Sequence, residues 1–362
     1  MNGTANPILT RGVGDDPSTA WRTEAGEWTF IGNDVCSEGK GKPGGAPLYG
    51  TMDWKTFYKK GCTSLSSGDC PTLFPLPELT PGSEVGLTAT QRAQLPSHVH
   101  KCGDKHNNDH FIPGNWADGR AGSHVGTWQA MGVESLVDSG LTHAAKDFFD
   151  PVNERRILWT WAQQGYSSMT VARHLTYDPR TQMVNSFPVP ELTQLRTRTL
   201  GTIAAATTPT DLPVSSACDI EVTFARPTAA TTLAVRVQGG TFAVDYVHAA
   251  SSVNVSFVNS TSLLGDGDGS NFPTDVLPML ATDTTISLRI LLDADIAEVY
   301  FQRGRVAMTV EIPRSRYTAK VLASPSARLI NASSWQMGSI WHSREQVLAT
   351  PRLDGQAASV AE

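Results

Sequence analysis

The sequence predicts an all-β chain in two parts: a run of short strands of sandwich, barrel or propeller type, then a β-sandwich. Three observations predict it. Gly (31) and Pro (22) are both plentiful among the 362 residues, and Thr, Ser and Val abound beside them, a mix that favours short strands and turns over helices. Up to residue 200 or so, strand-like runs recur roughly every ten residues, with aromatics near their ends. Beyond that point apolar and polar residues alternate, the period-two pattern of half-buried antiparallel strands.

The elements follow in order. Asp15-Asp16-Pro17-Ser18-Thr19-Ala20-Trp21 reads as a turn, and Gly26-Glu27-Trp28-Thr29-Phe30-Ile31 as a strand. Residues 37–47 are rich in Gly, Lys and Pro and read as a loop, while Tyr49 to Tyr58 has the character of one strand. Ser66 to Pro77 holds Asp69-Cys70-Pro71 and ends Phe74-Pro75-Leu76-Pro77. Its prolines exclude helix and leave a stiff, extended segment or a surface loop. Residues 80–95 are polar and irregular. His98 to Cys102 and His110 to Trp116 are short strands. Phe148 to Trp161 reads strand, turn, strand, with Asp150-Pro151-Val152-Asn153 as the turn. A Thr-, Ala- and Pro-rich stretch near 200–215 marks a boundary. It divides the chain into 1–203, 204–349 and a frayed tail, 350–362. Five alternating segments lie in the second part: 219–224, 233–237, 286–292, 297–301 and 307–310.

Charge and composition narrow the function. A net charge of −6 supplies no basic patch, so nucleic acid is not an expected partner. No run of 18 apolar residues predicts a membrane-spanning helix. The segment from Met1 to Pro7 has neither a basic nor an apolar region of the signal-peptide kind. Five cysteines make an odd count without a Cys-x-x-Cys pair, which leaves room for one or two bridges. Asn-x-Ser/Thr sequons start at Asn2, Asn254, Asn259 and Asn331, acceptors only in a secretory compartment.

Two patterns suggest metals and are set aside. His98, His100, Cys102, His106 and His110 are all ligand types, but the first three alternate along one strand face and His106 lies in a polar turn. Asp266-Gly267-Asp268-Gly269 lacks the glutamate that a calcium loop carries at its twelfth position, where Leu277 stands. No metal or other cofactor is expected. There is no Gly-x-Ser-x-Gly elbow and no phosphate-binding Walker loop. What remains is acids in turns beside aromatics: Asp16 before Pro17 and near Trp21, and Asp69 before Cys70-Pro71. Sugar sites use that pairing, with aromatic faces against the ring and carboxylates at the bond.

At these residues the chain resembles glycoside hydrolase family 32, the invertases, fructan hydrolases and plant fructosyltransferases. Asp15-Asp16-Pro17-Ser18-Thr19-Ala20-Trp21 is similar to the family's Arg-Asp-Pro and Thr-x-Ala-Trp, and Asp69-Cys70-Pro71-Thr72-Leu73-Phe74 to its Glu-Cys-Pro-Asp-Phe/Leu-Phe. Phe149-Asp150-Pro151 with Arg155 to Trp161, Val189 to Leu192, and Glu298 to Thr309 match further family segments in the right order. The resemblance implies a five-bladed β-propeller, here without its first blade or two, followed by a β-sandwich. It implies fructosyl linkages of sucrose or fructans as substrate, a retaining mechanism, and an extracellular or vacuolar setting. It places Asp69 at the acid/base position and Asp16 at the transition-state stabiliser, with Asp15 and Trp21 beside the substrate.

Three departures accompany it. The family's nucleophile lies in an Asn-Asp-Pro motif that occurs nowhere in this sequence. Asp15 replaces the arginine of Arg-Asp-Pro, and two adjacent carboxyls resist joint ionisation. Asp69 replaces a glutamate and is one methylene shorter, a shortfall of about 1 Å that can cost about a hundredfold in rate. Two expectations follow: a β-fructofuranosidase-type hydrolase, or a carbohydrate-binding or degenerate relative without turnover. Oligomeric state, and the choice between hydrolysis and transfer, stay open.

Overall fold

The computed structural model describes residues 14–350 other than 15, 24, 37–44, 67, 105–107, 122–123, 163–166, 239, 248–249, 260–272 and 315–316. Five antiparallel sheets make up the fold. The first contains β1 (Trp21–Arg22), β2 (Trp28–Ile31), β3 (Pro47–Thr51) and β4 (Tyr58–Cys62) in sequence order. The second contains β5 (Asp69–Pro75), β6 (His98–Gly103), β7 (Asp109–Ala121) and β8 (His124–Ala130), with β9 (Ser135–Leu136) paired to β7. Helix α1 (Ala89–Ala93) lies between β5 and β6. The third contains β10 (Thr142–Asp150), β11 (Arg155–Ala162), β12 (Ser168–Met169), β13 (Arg173–Asp178) and β14 (Met183–Pro188). Among the described residues these three meandering sheets are the propeller blades. Ile31, Leu48, Leu73 and Trp116 pack the first against the second. Phe74, Phe111, Leu158 and Leu175 pack the second against the third.

A 3-10 turn, Pro190–Leu195, leads into the sandwich. Its strands are β15 (Arg196–Ile203), β16 (Thr210–Leu212), β17 (Ala217–Ala225), β18 (Thr231–Val237), β19 (Gly240–Tyr246), β20 (Ser252–Asn259), β21 (Thr274–Pro278), β22 (Thr285–Asp293), β23 (Ile296–Phe301), β24 (Val306–Glu311), β25 (Ala319–Leu322) and β26 (Leu329–Met337). One sheet runs β15-β26-β17-β22-β23-β24 and the other β16-β25-β18-β19-β20-β21. Period-two alternation puts Ile220, Val222 and Phe224 of β17 opposite Val235, Phe242 and Val255 of the second sheet in one buried core. A short helix, α2 (Arg344–Ala349), follows β26.

The structure corrects some sequence-based expectations. Tyr49 to Tyr58 is a hairpin, not one strand. The Thr51 hydroxyl accepts the Trp54 N–H at 3.0 Å, and Asp53 Oδ1 accepts the N–H groups of Lys55 and Thr56 at 2.8 and 2.7 Å, which reverses the chain. Trp54 then sits in the left-handed region at φ +58°. The segment read as irregular at 80–95 holds α1, started by a Thr88–Gln91 capping box. Residues 196–203 fall on the propeller side of the expected boundary, yet β15 is laddered to β26 in the sandwich.

Sandwich and propeller meet along a polar, hydrogen-bonded seam. The N–H groups of Ser139 and Leu141 donate to the carbonyls of Ala307 and Thr309, each at 2.9 Å. Arg173, fully buried, donates from Nη2 to Asp138 (2.8 Å), Glu298 (2.9 Å) and the Thr309 hydroxyl (2.9 Å). Glu298 also accepts from the Val171 N–H and the Tyr300 hydroxyl, at 2.8 and 2.6 Å.

Candidate active site

Asp69 is the first residue of β5, exposed and paired across the ladder with Gly103. The absence of a side chain at Gly103 matters here: a Cβ there would come within 3.2 Å of the Asp69 Cβ and 3.6 Å of Asp109 Oδ1. After Asp69 the strand bulges, with a register shift between Asp69 and Thr72. Cys70 takes φ +47°, a conformation costly for a residue with a Cβ. The bulge answers how a strand runs through Pro71: the irregular step absorbs the missing backbone donor.

A buried lysine holds this step in place. Lys101 Nζ donates to the Cys70 carbonyl at 2.5 Å and to Asp109 Oδ1 at 3.0 Å. Asp109 Oδ2 in turn accepts the Ala145 N–H at 2.7 Å, which ties the second blade to the third.

Asp16 arrives from the other side. It is half-buried, and its N–H and Oδ2 face the Asn33 amide at 3.4 and 3.5 Å. The following residues are pinned twice. Ser18 exchanges hydrogen bonds with Ile31 of β2, its N–H and its hydroxyl each at 2.8 Å. The Thr19 hydroxyl donates to the Asp147 carbonyl at 3.2 Å, and Lys146 Nζ donates to the Pro17 carbonyl at 3.1 Å. Asp147 itself is ion-paired with Arg156, whose guanidinium lies 4.7 Å from the Phe74 ring centroid.

The electrostatics show the groups acting on one another. Burial pushes the Cys70 thiol up, Lys101 and Lys146 oppose it, and Asp16 and Asp109 push it further. Burial pulls the Lys146 ammonium down, with Cys70 and Asp16 among the groups that push it back. Asp16, Lys101, Asp109 and Lys146 thus all act on Cys70, and Asp69 is the residue before it in the chain. Asp69, exposed, is a carboxyl from which a proton can be exchanged with a bound ligand.

The other sequence-derived site residues fare differently. Asp15 lies outside the described residues. Trp21 is half-buried in β1, edge-on to Trp116 with centroids 6.5 Å apart, and packs on the core between the first two blades. Among the described residues no group of three or more His, Cys, Asp and Glu could hold a metal ion. His100 Nδ1 donates to the Thr72 carbonyl at 3.0 Å, its Nε2 lies 3.3 Å from the Ser66 hydroxyl, and His110 faces Asp104 and Glu134. His106 and the Asp266–Gly269 turn are outside the described residues. Sequence reasoning missed Lys101, Asp109 and Lys146. A signal existed for the first: Lys101 shares a strand face with Val99, so a charge there demanded a partner.

Comparison with known proteins decides the family. Residues 6–185 match the glycosyl hydrolases family 32 N-terminal domain, and residues 191–332 match the family 32 C-terminal domain. The chain belongs to glycosyl hydrolase family 32. It is 25% identical to an acid beta-fructofuranosidase of Vicia faba, over 92% of this chain and 62% of that protein. It is 26% identical to acid beta-fructofuranosidase 2, vacuolar, of a Rosa hybrid cultivar, over 93% of this chain and 62% of that protein. The chain therefore spans less than two thirds of the length of these relatives. Among solved structures, fructan 1-exohydrolase IIa from Cichorium intybus superposes with a TM-score of 0.70 at 19% identity, over 93% of this chain and 75% of that one. That likeness establishes the shared fold, a family 32 propeller followed by a sandwich.

Proposed function

We propose that this family 32 chain is a β-fructofuranosidase-type hydrolase that takes sucrose or a short fructan at the cluster around Asp69 and Asp16. One observation supports the reading: Asp16, 53 positions before Asp69 in sequence, acts electrostatically on Cys70, the residue that follows Asp69, and Lys146 bonds the Pro17 carbonyl beside Asp16. The chicory fructan 1-exohydrolase of the same fold has been solved with 1-kestose, which supports the choice of ligand.

In this reading Asp69 donates its proton to the leaving glycosidic oxygen and then takes one from the water that attacks the anomeric carbon; the family's retaining course also needs a carboxylate nucleophile, whose Asn-Asp-Pro motif occurs nowhere in this sequence. Asp16 accepts hydrogen bonds from fructosyl hydroxyls and opposes the positive charge that develops at the anomeric carbon.

A second reading, sugar binding without turnover, is favoured by the absence of Asn-Asp-Pro from the sequence and by Asp at the acid/base position. Fructose release from sucrose and 1-kestose, measured beside calorimetric titration of both sugars, separates the two. Release that falls about a hundredfold or more in Asp69→Asn supports hydrolysis. Binding without release, abolished in Asp16→Asn, supports the second reading. Neither binding nor release refutes both.

A further inference from the structure

A cavity of about 500 Å³ lies between α1, the turn after β8 and the β13–β14 hairpin. That volume is in the range of small-molecule sites. It is remote from the candidate active site. The ladders of the second blade run from Asp69↔Gly103 and Gly103↔Asp109 at one end to Pro75↔His98, His98↔Gly114 and Gly114↔Ala130 at the other. The cavity opens at the second end, where the Met131 N–H closes onto the Pro113 carbonyl.

Its chemistry is specific. No Lys, Arg, His, Asp or Glu lines it. The nearby Asp178 carboxylate is held by Arg180 at 2.7 Å, so its charge is answered locally. Leu95, Pro96 and Pro179 supply flat apolar walls, while Gln94 and Gln182 supply amides. At the floor stands Tyr177, 2% exposed, whose hydroxyl lies toward Gly132. Gly132 keeps the approach to that hydroxyl open: a Cβ there would lie 3.4 Å from it and 2.8 Å from the Gln182 carbonyl. Burial pushes the Tyr177 phenol up to about 12, so at neutral pH it is a proton donor. An uncharged cavity with apolar walls, amide rims and a phenolic donor suits a ligand that is itself apolar on its faces and hydroxylated at its edge.

We propose that this cavity is a second carbohydrate site, which takes one neutral hexose unit with a ring hydroxyl on Tyr177 Oη. It stands independently of the reading of Asp69 and Asp16. Anions and cations are excluded by the uncharged lining, and a purely apolar ligand would leave the tyrosine hydroxyl and both amides unpaired.

The test uses the full chain carrying Asp16→Asn and Asp69→Asn, so that binding at the candidate active site does not mask the second site. Crystals soaked in D-fructose or D-glucose should show a sugar ring in the cavity within hydrogen-bond distance of Tyr177 Oη. Saturation-transfer NMR titration of the same sugars should show binding weakened about tenfold by Tyr177→Phe, the worth of one hydrogen bond. Gln94→Trp, at an exposed position at the rim, should remove the cavity-bound sugar and serves if Tyr177→Phe does not fold. Water alone in the cavity, or affinities unchanged by both variants, overturns the proposal. Density without titratable binding in solution means binding at crystal concentration only, and overturns it as well.

Discussion

Replacing Lys101 with methionine removes a buried cation that joins the strand bearing Asp69 to the ladder beside it. The pair it forms with Asp109 is dry, with side-chain exposures of 0% and 2%. Methionine fills much of the same volume, so the loss is electrostatic. The Cys70 carbonyl loses a donor at 2.5 Å and Asp109 Oδ1 a donor at 3.0 Å. Removing one partner of a buried ion pair costs roughly 3–5 kcal/mol, because the other charge is stranded. Asp109 keeps the Ala145 N–H at 2.7 Å, so the lower end, about 3 kcal/mol, is expected. Against a usual stability of about 5–15 kcal/mol that is a large share. The assay is equilibrium urea unfolding of Lys101→Met, Asp109→Leu and the double variant. If the stranded charge is the cause, the double variant is less destabilised than the sum of the singles by about 2 kcal/mol or more. A loss below about 1 kcal/mol in Lys101→Met, or simple additivity in the cycle, would refute the argument.

Other predictions follow from single contacts. Burial pulls His100 from 6.5 to about 4 in the native state. As pH falls the unfolded chain takes this proton first, so stability is intact above 6.5, declines between 6.5 and about 4, and loses about 3 kcal/mol in total. Urea midpoints across that window should show a slope that His100→Gln flattens; an unchanged slope counts against it. In Gly140→Ala the new Cβ would meet the Thr309 carbonyl oxygen at 1.8 Å, so calorimetry should show a melting temperature lowered by a loss of about 1–3 kcal/mol. The Cys36–Cys62 bridge spans 26 positions, and its double serine variant should lose about 3 kcal/mol in urea titrations; equal stability with and without reductant would show that the bridge contributes nothing.

Local chemistry explains which parts of the fold were readable from sequence. The alternation in 219–224 and 286–292 announces β17 and β22 because one face of each strand meets the core. Asp150-Pro151 announces the β10–β11 turn for the same local reason. The hairpin at 51–58 was missed although its cause is local too: Thr51 and Asp53 accept the N–H groups that the turn frees. β5 reads as loop or stiff segment because Pro71 is unfit for a regular ladder, and only the register shift beside it accommodates the ring. Asp16 and Asp69 are visible through their motifs. Their neighbours are not, because Lys101 finds Asp109 through the β6–β7 register, and Lys146 reaches Pro17 across 129 positions. Burial of a charge is decided by pairing that sequence alone does not display.

The ionic centre around Arg173 bears on how the chain is made. Asp138 and Arg173 leave the ribosome well before Glu298 and Thr309, which follow Arg173 by 125 and 136 positions. At about 5–20 residues per second, that is an interval of several seconds or more. Throughout it the propeller face holds one carboxylate and one guanidinium while their remaining partners do not yet exist. That face must stay hydrated until the β23–β24 hairpin arrives, because closing it earlier would bury charge without its full set of partners. The seam therefore dries only once the β23–β24 hairpin has been made, and translation arrested before Thr309 leaves a nascent chain with a wet, protease-accessible edge at Arg173.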